Sequence, residues 1–161
     1  MRGTPRWRFL LPVAVLATLA APALRGMTGG QWFPDVWLLL AFGAVPVPAP
    51  FLWRRAMLFV VLLGFLRAST SSLSFVMSMT GLGAALVTRE MLHRHLSEHR
   101  PLLRLLVGFA SAAWPTLLDA RAASALGAQL PAAVWFARAL AVAAFWALLS
   151  APVRGSRSET S

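Results

Sequence analysis

The chain has 161 residues, 58% of them hydrophobic and only 12% charged, with a mean hydropathy of +0.69 and a formal net charge of +10. A soluble domain carries about 25% charged residues, so a water-soluble fold is excluded as the home for this much apolar side chain. The charge would point to nucleic acid in a soluble protein, but here every basic residue is Arg and most lie between apolar runs, while the lack of Cys removes disulfides and thiolate metal sites.

Six apolar stretches follow one another: Phe9 to Leu24, Val36 to Val47, Phe51 to Leu66, Leu73 to Val87, Leu102 to Leu118 and Ala132 to Ala151. Their pattern predicts an all-α integral membrane protein, a bundle of six transmembrane helices in a single domain over residues 1–154, with residues 155–161 as a disordered tail. Several stretches are short against the roughly 20 residues that cross hydrocarbon.

The first stretch follows Arg6 and Arg8 and contains Ala21-Pro22-Ala23, so it reads either as an uncleaved anchor or as a signal peptide with a cleavage site. The second begins near Pro34 and is broken by Pro46, Pro48 and Pro50, each of which removes a backbone donor. The second and third stretches therefore fit two crossings or one re-entrant hairpin. The run Ser69 to Ser74 that follows the third reads as an outer loop with turn and cap chemistry.

The arginines set the orientation. With the N-terminus inside, eleven face the cytoplasm, three (Arg25, Arg67 and Arg121) face outward, and Arg138 falls within the last stretch, which accounts for all 15 basic residues. Such a bias predicts an even number of crossings with both termini cytoplasmic. The inner set forms a basic face of Arg54, Arg55, Arg89, Arg94, Arg100 and Arg104, suited to anionic lipid or a cytoplasmic partner. Trp7, Trp32, Trp37, Trp53 and Trp114 fall near the predicted ends, where indoles favour the headgroup layer. Small residues recur at spacing four (Gly81 and Ala85; Gly108 and Ala112; Ala139, Ala143 and Ala147), which predicts close helix packing inside the bundle.

Charges at depth are costly, about 2.5–3.5 kcal/mol each on insertion scales, and so mark sites. Arg138 lies seven residues past Pro131, or roughly 10 Å down the last helix. Asp119, at the outer end of the fifth stretch, is its natural partner, and Asp35 and Arg67 fall on the same side. These four groups read either as ion bridges or as the polar wall of a ligand pocket. His95-Leu96-Ser97-Glu98-His99 matches the H-x-x-E-H metallopeptidase pattern. However, Arg94 and Arg100 flank it and Pro101 follows, so a solvated helix end supported by the Glu90 and Arg94 pair is the reading preferred here. No G-x-S-x-G elbow occurs. The residues imply no cofactor, no metal, no catalysis and no nucleic-acid partner.

The layout resembles the MreD family of rod-shape-determining membrane proteins. The basic start through Trp7, Pro34 to Leu40 (PDVWLLL), Gly64 to Arg94 and Pro101 to Phe109 (PLLRLLVGF) carry the resemblance, in which Pro34 and Asp35 are the best-matched polar positions. It departs from the family at the end of the third helix, where an acid is common and this chain has Arg67 and Ala68. The resemblance implies a fold similar to the six-helix substrate-binding subunits of energy-coupling-factor transporters. It also implies a non-catalytic scaffold in the bacterial cytoplasmic membrane, linking the actin-like MreB filament to peptidoglycan synthesis together with MreC, RodA and a penicillin-binding transpeptidase. The alternative reading is a substrate-binding membrane subunit of a small-molecule transporter.

Overall fold

The computed structural model describes residues 7–27, 34–45, 53–71, 73–96, 101–127 and 131–150, and of 7–8, 24–27 and 53–56 the backbone alone. The secondary structure among them is entirely helical: α1 (Trp7–Met27), α2 (Val36–Ala44), α3 (Trp53–Thr70), α4 (Phe75–His95), α5 (Pro101–Ala125) and α6 (Ala132–Leu149). Each apolar stretch corresponds to one helix. Two of them, α5 and α6, are long and apolar enough to cross a membrane.

The helix ends follow local chemistry. Ser74 caps α4 by accepting from the Met77 N–H at 3.3 Å. The Ser69 and Thr70 hydroxyls instead donate back to carbonyls in the last turn of α3. Gly127 adopts φ 79°, the left-handed conformation that stops α5. Both α4 and α5 extend about two turns beyond their apolar stretches, because residues such as Glu90, Arg94 and the alanines after Asp119 are good helix formers.

α2 is the exception, ending three residues before Val47. Val45 is extended at φ −100° and ψ 101°, as the ring of a following proline demands. Nine residues make a helix of only about 13 Å, less than half of the roughly 30 Å of a hydrocarbon core. Short as it is, α2 occupies the middle of the bundle, packed against α1, α3, α4 and α6. Trp37, Leu38, Ala41, Phe42 and Ala44 are all buried. Trp37 therefore corrects the headgroup expectation: its indole lies in the core and donates from Nε1 to Thr18 Oγ1 of α1 at 3.1 Å.

The small-residue rows form the helix seams. A Cβ at Gly81 would sit 3.2 Å from Pro115 Cα, and one at Gly108 would sit 3.1 Å from Ala143 Cα. These positions let α4 meet α5, and α5 meet α6, backbone to backbone. Many large apolar side chains also point outward, among them Leu16, Leu19, Leu58, Val76, Leu117 and Leu148, while Asp35, Arg67, Ser78, Arg89, Ser111 and Thr116 are buried beside the apolar core of Trp37, Leu38, Phe42, Leu63 and Leu82. So wide an exposed apolar surface is uncommon in a monomeric water-soluble protein.

Candidate functional site

The first polar station lies where the start of α2 meets the ends of α3 and α5. Asp35 is the N-cap of α2, its Oδ1 accepting from the Leu38 N–H at 3.2 Å. Its other oxygen accepts from Arg67 Nε of α3 at 2.8 Å. Arg67 then turns Nη2 toward Asp119 of α5, donating to Oδ1 and Oδ2 at 2.8 and 2.9 Å. Arg138 of α6 completes the chain, with Nη1 3.1 Å from Asp119 Oδ2. Asp35, Arg67, Asp119 and Arg138, the four charges singled out in the sequence, thus meet in one network. Two acids and two arginines balance, so the cluster places no net charge in the bundle. Asp35 and Arg67 are 1% and 2% exposed, and a guanidinium suits this junction because its rigid fork can serve two carboxylates at once. Two donors, Arg67 Nη1 and Arg138 Nε, have no partner among the described residues.

The second station lies at the opposite end of α2. Arg89 of α4 is 5% exposed, so it leaves the basic face on which the sequence placed it. Its Nη1 donates to the carbonyls of Phe42 and Val45 at 2.8 and 3.0 Å. This satisfies orphan acceptors at the helix C-terminus and sets a cation against the negative end of the dipole. The guanidinium carbon also lies 4.3 Å from the Trp146 ring centroid and 5.2 Å from that of Phe42, within cation–π range. The physical reason for the correction is helical phase. Arg89 continues the row of Gly81 and Ala85 at spacing four, so it shares their packed face.

Of the other residues on the predicted basic face, Arg94 is 70% exposed and pairs with Glu90 at 3.2 Å. Arg104 donates to the Ser150 carbonyl at the end of α6 at 3.3 Å. Arg54 and Arg55 belong to the first turn of α3, their side chains outside the description, and Arg100 lies outside the described residues. So do Trp32, Pro46, Pro48, Pro50 and the tail 155–161. Trp114 sits within α5 rather than at its end and donates to Thr88 Oγ1 at 2.9 Å.

The H-x-x-E-H pattern loses its helical phase at its second residue. α4 ends at His95, and Leu96 is extended at φ −118° and ψ 122°. Glu98 and His99 lie outside the described residues, among which no three His, Asp or Glu side chains group to hold a metal.

The junction role of Arg67 went unread in the sequence, where Asp119 was matched to Arg138 alone. The signal was present, since Arg67 falls on the same predicted side as both acids and lies two residues before the serine-rich run. Comparisons of the chain with protein-family models, with curated proteins and with solved structures give no match.

Proposed function

We propose that the chain is a non-catalytic scaffold of the bacterial cell-elongation machinery, of the MreD kind. On this reading it is a multi-pass protein of the cytoplasmic membrane with both termini inside, its short second helix held within the bundle rather than spanning by itself. It joins MreC, RodA and a penicillin-binding transpeptidase to the MreB filament, and its fold is similar to that of energy-coupling-factor substrate-binding subunits. The observation that supports the structural part is a wide outward-facing apolar surface combined with small residues at the seams and buried charges neutralised among themselves. The four outer charges are engaged with one another, which supports an architectural role for them. The exposed Arg94 and the basic inner ends of the helices suit anionic lipid and a cytoplasmic partner.

A second reading, a substrate-binding membrane subunit of a transporter, draws on the two donors of Arg67 and Arg138 that lack partners. Affinity purification of the tagged full chain from a rod-shaped host separates the two. Recovery of MreC with the chain, and loss of rod shape on depletion, are expected for the scaffold. Recovery of a transporter ATPase without MreC would replace it with the second reading.

A further inference from the structure

The start of the chain carries the marks of a secretory leader: Arg6 and Arg8, an apolar run from Phe9 to Ala20, then Ala21 and Ala23 on either side of Pro22. With the N-terminus inside, this small-residue motif lies on the outer side of the membrane, where leaders are removed. A peptidase takes its substrate from exposed, extended chain. The structure holds the motif in the opposite state. α1 continues through Pro22 to Met27, and Ala21 is 1% exposed. Local chemistry resists that geometry, because the Pro22 ring biases Ala21 toward extended backbone and denies the Thr18 carbonyl its helical donor.

Docking overrides that local preference. α1 meets the bundle along one narrow stripe, in which Ala14 and Ala21 join the buried core and Leu10 packs against it. Between them the Thr18 hydroxyl donates to the Ala14 carbonyl at 2.7 Å and accepts from Trp37 Nε1 at 3.1 Å. Trp37 belongs to the buried face of α2, so this bond pins α1 to the centre of the bundle, whereas Phe9, Leu16 and Leu19 are exposed. We propose that the Ala23-Leu24 bond is a latent signal-peptidase site, masked by the seating of α1 on Trp37. When α1 lifts off, the chain leaves the helix at Pro22 and the site opens. Hydrolysis there adds water across the Ala23-Leu24 peptide bond, leaving a carboxylate on Ala23 and a free amine on Leu24. A chain that seats α1 keeps it, and a chain that fails to seat it is cut.

The proposal rests on the N-terminus lying inside, and the test reads that separately. The full chain with a carboxyl-terminal tag is expressed in a bacterial host and its intact mass is measured. Wild type is expected to retain residues 1–23. Ala14→Leu forces a larger side chain into a fully buried position outside the cleavage motif, and is expected to yield a product that begins at Leu24. Thr18→Val keeps the shape of the side chain but removes the acceptor of the Trp37 indole. It is expected to raise the cut fraction about tenfold, since cleavage follows the population of the opened form. Adding Ala23→Leu to Ala14→Leu is expected to restore the full-length chain, because a large side chain does not fit the small-residue rule of the site. A wild-type chain that begins at Leu24, a full-length Ala14→Leu chain, or a cut that survives Ala23→Leu overturns the masked site. Ala125→Cys placed in the same variants reports the orientation. Labelling in intact cells upholds the inside N-terminus, and labelling only after permeabilisation overturns it.

Discussion

Arg67 Nε lies 2.8 Å from Asp35 Oδ2, tying the last turn of α3 to the residue that caps α2. The same carboxylate therefore starts one helix and anchors another. Because the second fork of Arg67 reaches Asp119, which Arg138 also contacts, one side chain joins three helices directly and a fourth through its partner.

Asp119→Ala strips a carboxylate from two arginines. A loss of about 3 kcal/mol is expected, the usual scale for leaving a buried charge uncompensated. Asp119→Ala with Arg138→Ala should recover only part of it, since Arg67 still lacks one of its two acids. Thermal unfolding in detergent reads both, and a double variant as stable as wild type would contradict the shared geometry.

Arg67→Lys keeps the charge but not the fork. One ammonium cannot reproduce the Nε bond to Asp35 together with the paired Nη2 bonds to Asp119, so about 2 kcal/mol should be lost. The same melting assay checks it, and an unchanged midpoint would show that charge alone suffices.

Two glycines should respond in opposite directions. Gly108→Leu drives a side chain into the Ala143 backbone, with an expected cost of about 2 kcal/mol. Gly43→Ala faces open space and should gain about 0.5–1 kcal/mol from helix propensity alone. Equal effects at the two sites would contradict the seam between α5 and α6.

The chain has no cysteine, so single substitutions report topology without background. An impermeant maleimide should label Ala125→Cys in intact cells and Arg94→Cys only after permeabilisation, both residues being exposed at opposite ends of their helices. Labelling of both in intact cells would overturn the orientation.

The helices were legible because apolar runs and punctuation by Pro, Gly and Arg are local signals. The end of α2 is an example, since Pro46 alone forces Val45 out of helical geometry. The central position of α2 was not legible. Its residues are apolar all round, a pattern shared by a buried helix and one facing lipid, and only packing against four neighbours distinguishes them. Trp37 was misplaced for that reason. Asp119 and Arg138 could be paired from topology, whereas Arg67 as the junction depended on side-chain reach across helices. Arg89 was legible by phase, but its charge drew it to the basic face in the reading.

The arginine clamps on the two ends of α2 come from later in the chain. Asp35 and the Phe42 carbonyl are synthesised before Arg67, Arg89 and Asp119, so this short helix leaves the ribosome before Arg89 and Asp119 can meet its polar ends. Its final seat must await the fourth and fifth helices, and a released chain that ends after residue 66 would hold a second segment without the partners of its two ends.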